Sequence, residues 1–218
     1  MPEPDLLIDI CPPPALRPPD ADTAHMMRWI SGNRQKKLEP WMYTRGQRTR
    51  VCVTLGSMRG AIRQTLDYLC GSIEKLLPLD VEVVVAATGS VAAELWSRYP
   101  QIHADWVPMD FLAPTCDLIV HHNGGLTGLT VMSAGTPQVI LNQWDLLRNS
   151  LDRLEQHGSS VVLHRGEDTP DNVAAACGKI LSDLSYTRKA RALSEEITAL
   201  DPPPALVDAL EKLAAGRP

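Results

Sequence analysis

Hydrophobic positions follow two different periods along the chain from residue 50 onward. Short apolar runs of strand length alternate with longer stretches in which apolar residues recur every three or four positions, as in amphipathic helices. Six runs are predicted to be strands: Val51–Leu55, Val81–Ala86, His103–Val107, Leu118–His121, Gln138–Leu141 and Ser160–Leu163. Helices are predicted over Ala61–Leu77, Val91–Tyr99, Thr127–Ala134, Asp145–Gln156, Asp171–Leu200 with a break near Ser185, and Ala205–Ala215. Such alternation is typical of a doubly wound parallel sheet, an α/β fold whose ligands lie beyond the carboxyl ends of the strands.

The first 47 residues differ from this pattern. Residues 1–20 contain seven of the eighteen prolines, and proline favours extended chain over helix or central strand. Here only Leu6–Ile10 is predicted to be a strand, which must pack against the body of this chain or against a partner. We therefore divide the chain into a linker over residues 1–47, an α/β domain over residues 48–200 and a helical arm over residues 201–218.

Composition limits the function further. A chain of 218 residues with 44% apolar residues can bury a core, and its net charge of −5 argues against binding to nucleic acid or to an anionic membrane. No apolar run reaches the roughly 18–20 residues of a membrane-spanning helix, and the first residues lack the pattern of a signal peptide. The five cysteines are scattered without CxxC spacing, which indicates reduced thiols in a cytoplasmic protein.

The segment over residues 118–138 is the most informative for chemistry. A predicted strand runs into His121-His122 and Gly124-Gly125, and a helix follows up to Gly135. The glycines allow a ligand close to the backbone, and the helix start offers unpaired N–H donors and the positive end of its dipole. This combination predicts a phosphate site, with the Thr127 hydroxyl and an imidazole N–H of His122 directed at the same oxygens. The alternative is a tight turn in which the histidines only end the strand.

Two further corners fall at the ends of predicted strands. In Thr54-Leu55-Gly56-Ser57 a strand again runs into glycine before a helix, so that two corners on neighbouring strands could hold one diphosphate; a simple turn is the alternative. Trp106 ends another strand, where its indole could stack on a flat base while the Val107 backbone pairs with the base edge. For Trp106 the alternative is packing in the core.

Together these motifs resemble the carboxyl-terminal, donor-binding half of GT-B glycosyltransferases, and among them the antibiotic glycosyltransferases that transfer deoxysugars to polyketide aglycones. The resemblance rests on Thr54-Leu55-Gly56-Ser57, on Trp106-Val107-Pro108, and on residues 121–138, which this subfamily writes as HHxGGxTxLT followed by SAGxPQ. It extends back into the linker through Asp9-Ile10-Cys11-Pro12-Pro13 and Leu38-Glu39-Pro40-Trp41-Met42. It implies a Rossmann-like fold, a dTDP-sugar as donor substrate and no cofactor.

The resemblance also implies roles for individual residues. Trp106 would carry the nucleotide base, and the Val107 backbone would bind the edge of that base. The residues implied to hold the diphosphate are Ser57, His122, Gly124, Gly125, Leu126 and Thr127. Asp145 falls where the family binds hydroxyls of the donor sugar. His122 and the helix start would stabilise the leaving diphosphate without a metal, in a direct displacement with inversion.

This sequence departs from the family pattern at two positions. Plant relatives place a glutamate eight residues after the phosphate-binding histidine, where it binds both ribose hydroxyls, whereas this chain has Thr130. A ribose without a 2′-hydroxyl offers no such pair to a carboxylate, and a buried unpaired charge is costly, so we predict a dTDP-sugar rather than a UDP-sugar. Leu146 stands where the family has glutamine, which suits a sugar that lacks a hydroxyl. The segment Asp20-Ala21-Asp22 matches a metal-binding DxD motif, but its place in the linker indicates a chance match.

In this family the acceptor site and the catalytic base belong to an amino-terminal half that would precede residue 1. We therefore expect the chain to bind a nucleotide but to transfer no sugar alone. The segments Leu6–Ile10 and Ala205–Ala215 would pack on that half or on a companion chain, and a homo-oligomer stays open as well. Two other functions also stay open: a stand-alone nucleotide-binding module and a helper protein that activates a separate transferase.

Overall fold

The computed structural model of the chain describes residues 5–10, 16–18, 21, 23–34, 36–56, 62–144 and 148–215. Its strands are β1 (Ile8–Asp9), β2 (His25–Met26), β3 (Arg50–Thr54), β4 (Glu82–Ala86), β5 (His103–Asp105), β6 (Leu118–His121), β7 (Gln138–Asn142) and β8 (Ser160–His164). Its helices are α1 (Ile62–Leu76), α2 (Gly89–Arg98), α3 (Met109–Leu112), α4 (Gly125–Ser133), α5 (Arg148–His157), α6 (Pro170–Ser182), α7 (Leu184–Ala199) and α8 (Val207–Ala215).

Six parallel strands form the central sheet in the order β5-β4-β3-β6-β7-β8. This confirms the predicted α/β class with a parallel sheet. The chain order reverses between β3 and β6, which are neighbours in the sheet but not in the sequence. Thr54 at the end of β3 pairs with His121 at the end of β6. Open α/β sheets bind their ligands at such a switch point, beyond the carboxyl ends of the strands.

Alternating side chains divide the core into one layer on each face of the sheet. In β3, Val51 and Val53 pack with residues of α1, α2 and α6, whereas Cys52 packs on the other face with Ile119 and Val131. Because helices cover both faces, β3, β6 and β7 are buried at every position. The ends of β3 and β6 are therefore held in a fixed relation to each other.

The linker packs against the body of the same chain. Strand β1 pairs with β2 in a small parallel sheet, Met27 bridges to Asp201, and Leu16 is buried among residues of α4, α5 and α7. Of the two alternatives for the first strand, packing within the chain is therefore observed. The pairing covers only Ile8–Asp9, which is shorter than the predicted Leu6–Ile10.

Strand β5 is two residues shorter than the predicted third strand. The prediction was His103–Val107, but β5 ends at Asp105. There the Asp105 carboxylate accepts the amide N–H of Trp106 (2.7 Å), and Lys36 Nζ donates to the Trp106 carbonyl (2.8 Å). Because these two bonds occupy the backbone groups that would continue the ladder, the chain leaves the sheet at Trp106.

The other boundaries differ by one or two residues. Helices α2 and α4 each begin two residues before the predicted starts at Val91 and Thr127, since their extended N-cap residues are Thr88 and Gly124. The predicted stop of α4 is observed, with Gly135 at a φ of +68° directly after the cap. The predicted start of α5 at residue 145 lies outside the described residues, as do residues 57–61 before α1.

The carboxyl-terminal helices are shorter than predicted. The tail helix breaks at Asp183, whose carboxylate accepts the amide N–H of Ser185 (2.8 Å) and so caps α7. A 3₁₀ turn over Pro203–Leu206 precedes α8, so the last helix starts at Val207 instead of Ala205. The short helix α3 was not predicted, because four residues are too few to show a helical period.

Two expectations from composition concern thiols and membranes. Cys52, Cys70, Cys116 and Cys177 are free and buried, and Cys11 lies outside the described residues. Across the ranges that the structure describes, we find no helix of the length and apolarity that crossing a bilayer requires.

Candidate functional site

At the corner after β6, the side chains of His121 and His122 point in different directions. The His121 side chain is fully buried and its Nε2 lies 2.8 Å from Gln138 Oε1, while His122 faces the crevice above the sheet. Asn123 adopts a left-handed conformation with a φ of +61°, and its amide N–H donates to His121 Nδ1 (3.2 Å). This turn brings Gly124 to the N-cap of α4.

The start of α4 presents free backbone donors. Within the helix the first bond runs from the amide N–H of Gly128 to the Gly124 carbonyl (2.9 Å), and no side chain caps the helix. The amides of Gly125, Leu126 and Thr127 have no hydrogen-bond acceptor among the described residues. Unpaired amides at a helix N-terminus, together with the helix dipole, favour an anion. This geometry suits the predicted phosphate site.

The corner after β3 lies next to the corner after β6, because Thr54 pairs with His121 at the ends of these two strands. Gly56 has a φ of +64°, and its amide N–H donates to Thr54 Oγ1 (3.2 Å). The imidazole of His122 fills the space where a Cβ on Gly56 would lie, and its Cε1 would be 3.1 Å from a Cβ on Gly124. His122 therefore packs between the two glycine corners. Ser57, the other residue implied here, lies outside the described residues.

The two histidines differ in environment but are both held neutral. Burial lowers the pKa of His121 to about 4, with the hydrogen bond to Gln138 opposing the shift. Burial also lowers the pKa of His122, which the Thr54 carbonyl partly opposes. The Nδ1 atom of His122 is buried and has no hydrogen-bond partner among the described residues. At neutral pH His122 is thus an uncharged imidazole with unused hydrogen-bonding capacity.

Trp106 lines a cavity of about 190 Å³ beside these corners. Since Asp105 and Lys36 occupy the backbone N–H and carbonyl of Trp106, those two groups are not free for a ligand. The N–H and carbonyl of Val107 take part in no hydrogen bond among the described residues. The cavity thus combines a half-buried indole with a free donor and acceptor one residue on. Its further lining residues are Asn33, Thr54, Gly56, Ala86, Ala87, Thr88, Met109 and Thr127.

A smaller cavity of about 90 Å³ adjoins it and shares Asn33, Met109 and Thr127 with it. Trp29 of the linker donates its indole N–H to Thr130 Oγ1 (3.2 Å), and Ser31 Oγ lies 3.3 Å from the same oxygen. Thr130 in turn donates to the Leu126 carbonyl (2.8 Å). The Thr130 hydroxyl is thereby fully engaged by the linker and by its own helix.

The structure places most of the implied residues around the start of α4, where they line more than one cavity: Trp106, Val107 and Thr127 line the cavity of about 190 Å³, and Leu126 and Thr127 line the smaller one. The corner at the start of α4 is formed by His122, Gly124, Gly125, Leu126 and Thr127. Trp106 and Val107 lie on the side of β5. Four other residues lie outside the described residues: Ser57, Asp145, and Asp20 and Asp22 of the DxD match. Sequence motifs missed Trp29, Asn33 and Lys36. These linker residues lie about 70 or more positions from the groups they contact, and only the fold brings them there.

A larger cavity of about 400 Å³ lies on the other side of α4, between the linker and α5. Its walls are mainly apolar. Arg153 at its edge donates to the Leu16 carbonyl (3.0 Å), and His121 in its floor is bonded to Gln138. Asp9, Asn123, Gly125 and Ser150 also line it, so that this cavity borders the start of α4 as well.

Known proteins are similar in sequence to this chain. The erythromycin biosynthesis protein CIII-like C-terminal domain matches residues 71–213. The 10-deoxymethynolide desosaminyltransferase of Streptomyces venezuelae is 36% identical over 208 residues, covering 93% of this chain and 48% of that protein. The aclacinomycin-T 2-deoxy-L-fucose transferase of Streptomyces galilaeus is 30% identical over 210 residues, covering 93% and 47%. The chain thus spans about half the length of these relatives.

Two solved structures of glycosyltransferases have a fold similar to that of this chain. The spinosyn rhamnosyltransferase SpnG complexed with thymidine diphosphate has a TM-score of 0.82 and 26% identity, over 96% of this chain and 57% of that one. The glycosyltransferase SsfS6 of Streptomyces sp. SF2575, also complexed with thymidine diphosphate, has a TM-score of 0.77 and 30% identity, over 97% of this chain and 53% of that one.

Proposed function

The chain belongs to the family of the erythromycin biosynthesis protein CIII-like C-terminal domain, and from that membership we propose that it binds a dTDP-sugar as the donor half of a glycosyltransferase. Its fold is that of the carboxyl-terminal domain of GT-B enzymes. The relatives are named as a 2-deoxy-L-fucose transferase and a desosaminyltransferase. In this proposal the crevice at the switch point holds the nucleoside diphosphate.

One observation carries the proposal. The two strands that flank the switch point are each followed by a glycine corner, and the amides of Gly125, Leu126 and Thr127 at the start of α4 have no acceptor among the described residues. A diphosphate accepts hydrogen bonds only, so it matches a cluster of donors without acceptors. The net charge of the chain is negative, which makes this local set of donors necessary for binding an anion.

The base and the ribose would follow along the two smaller cavities. Thymine would stack on the Trp106 indole, and its edge would pair with the free N–H and carbonyl of Val107. The ribose would then lie next to Trp29 and Thr130. Because Trp29 and Ser31 contact the Thr130 hydroxyl, little room is left beside it for a 2′-hydroxyl, and a deoxyribose is favoured.

In the transfer itself, charge develops on the departing diphosphate. A bond forms between the acceptor oxygen and the anomeric carbon, and the bond from that carbon to the β-phosphate oxygen breaks, with its electron pair leaving on the diphosphate. Fixed donors at the start of α4 and the neutral His122 stabilise this charge where it appears. We propose direct displacement with inversion and no metal.

The acceptor proton would go to a base on an acceptor-binding half. The relatives are about twice as long as this chain, and none of the motifs supplies such a base. We therefore propose that the 218 residues bind the donor but transfer no sugar without that half or a companion chain. Product formation by the purified chain with a dTDP-sugar and a polyphenol acceptor would contradict this.

Nucleotide selectivity tests the proposed site. UDP and dUDP differ only in the 2′-hydroxyl, and we expect calorimetric titration to show tighter binding of dUDP, by on the order of tenfold, because the Trp29–Thr130 contact crowds that hydroxyl. Trp29→Ala should narrow this difference. As a matched control, Trp96→Ala changes a tryptophan that is 63% exposed on α2, and it should leave the ratio unchanged. Equal binding of UDP and dUDP by the wild-type chain would contradict the proposed ribose site.

A further inference from the structure

Two linker residues, Asn33 and Lys36, hold the segment that follows β5. Lys36 Nζ donates to Asp105 Oδ2 (2.5 Å) and to the Trp106 carbonyl (2.8 Å). Asn33 Nδ2 donates to Asp110 Oδ1 in α3 (2.6 Å). Because β5 is an edge strand, no neighbouring strand of the described sheet supports this segment on its outer side. The linker provides that support instead.

The ammonium group of Lys36 acts on both backbone groups of Trp106. Asp105 Oδ1 accepts the amide N–H of Trp106 (2.7 Å), while Lys36 binds the other oxygen of this carboxylate and the Trp106 carbonyl. Hydrogen bonds with charged groups are roughly twice as strong as neutral ones. The side chains of Lys36 and Asp105 are 26% and 41% exposed, and an ion pair so accessible to water adds little to stability. These bonds therefore fix the direction of the Trp106 backbone more than they stabilise the fold.

That direction determines where the N–H of Val107 points. The Trp106 carbonyl and the Val107 N–H belong to one planar peptide group, and in a trans peptide they point in opposite directions. None of the described peptide bonds is cis. Because Lys36 binds the carbonyl, the N–H is turned away from Lys36. Trp106 and Val107 both line the cavity of about 190 Å³, and the Val107 N–H takes part in no hydrogen bond among the described residues, which leaves it available to a ligand.

From this geometry we infer that Lys36 is a positioning residue for base recognition, because it fixes the peptide group whose N–H would meet the edge of the base. The inference rests on the proposed function, since it needs a pyrimidine stacked on Trp106. The edges of thymine and uracil offer a carbonyl oxygen and a ring N–H, which match the N–H and the carbonyl of Val107. Cytosine has an amino group in place of one oxygen and no proton on that ring nitrogen, so it matches these groups less well. Lys36 thus contributes to a preference for thymine or uracil over cytosine.

The test titrates the full chain with dUDP and dCDP by calorimetry, because these two nucleotides differ only at the edge of the base. The wild-type chain should bind dUDP more tightly, with a ratio of dissociation constants on the order of ten. Lys36→Met removes the ammonium group but keeps an unbranched side chain of similar length, and it should reduce this ratio to about two. Lys36→Arg keeps a cation with N–H donors and should retain most of the ratio.

Lys37→Met is the matched control. The Lys37 side chain is 90% exposed, and its Nζ lies 3.9 Å from Glu39 Oε1 at the surface. The variant removes the same charge one residue further along the linker. Both dissociation constants, and therefore their ratio, should stay at the wild-type values.

The outcomes separate this inference from the function on which it rests. If both nucleotides bind and Lys36→Met leaves the ratio at its wild-type value, with or without an equal loss of affinity for both, Lys36 does not position the peptide group and the nucleotide proposal stands. Equal binding of dUDP and dCDP by the wild-type chain would show that Val107 does not read the base, and would also overturn the inference. If the wild-type chain binds neither nucleotide, the proposed function fails and the inference fails with it.

Discussion

His122 owes its position to the absence of two side chains. A Cβ on Gly56 would overlap the imidazole, and one on Gly124 would lie 3.1 Å from it. Gly56→Ala should therefore push His122 away from the start of α4 and lower the affinity for dTDP by on the order of tenfold. The positive φ at this position adds roughly 1–2 kcal/mol of strain, which thermal unfolding would register.

Gly178→Ala is the control for this substitution. Gly178 lies within α6, and a Cβ there meets no atom within 4 Å. The variant should bind dTDP as the wild type does and should be at least as stable, because alanine favours a helix interior. Wild-type affinity in Gly56→Ala would show that the position of His122 does not matter for the diphosphate.

His121 makes stability depend on pH. Its pKa is about 4 in the folded chain against about 6.5 in an unfolded one, so the unfolded state binds the proton first as the pH falls. Acidification from pH 8 to pH 5 should therefore lower the free energy of unfolding, by roughly 2 kcal/mol from this group alone. In His121→Gln, the free energy of unfolding from urea titrations should fall by roughly 2 kcal/mol less between pH 8 and pH 5 than in the wild type. An equally steep pH dependence in this variant would contradict the buried, neutral state of His121.

At the residue scale, the sequence predicted groups that lie close together along the chain. The run from His121 to Thr127 could be interpreted because the histidines, the glycines and the helix start follow one another. Trp29 could not be found this way. Its role depends on Thr130, which lies about 100 residues away in the chain, and on a cavity that forms only when the elements pack.

Between elements, Arg50 joins the linker to the sheet. Its guanidinium is 3% exposed, bonds both carboxylate oxygens of Glu82 (2.9 and 3.0 Å), and donates to the carbonyls of Trp41 and Thr44 (3.1 and 3.0 Å). Arg50→Met would leave the two carbonyls without a donor and the partly buried Glu82 carboxylate with only His103 nearby, 3.8 Å away. We expect the free energy of unfolding to fall by about 3–5 kcal/mol in urea titrations.

Arg98→Met provides the comparison. Arg98 pairs with Glu94 on the surface of α2, where water can replace the lost contact, and the unfolding midpoint should hardly move. If both arginine variants had equally small effects, the bonds of Arg50 would not hold the linker to the sheet.

The types of most elements could be predicted, but most of their exact ends could not. Strands buried on both faces appear in the sequence as short apolar runs, and β6 has the predicted bounds. β5 ends early because two side chains, Asp105 and Lys36, bind the backbone of Trp106. Lys36 comes from the linker, and no periodic pattern within the strand reveals it.

At the scale of the whole molecule, the order of the strands creates the site. The strand order places β4 and β5 on one side of β3, and β6 to β8 on the other, so that the loops after β3 and β6 diverge at the switch point and leave a crevice. The two glycine corners follow the strands that flank this point. The relatives are about twice as long as this chain, and in the proposed function the acceptor and the base for its proton belong to such an additional half.

A crystal structure of the chain with dTDP tests the central claim most directly. The account predicts the pyrophosphate oxygens within hydrogen-bond distance of the amides of Gly125–Thr127 and of His122, with thymine stacked on Trp106. Thymidine diphosphate bound elsewhere, or a start of α4 that stays closed to it at saturating concentration, would contradict the account.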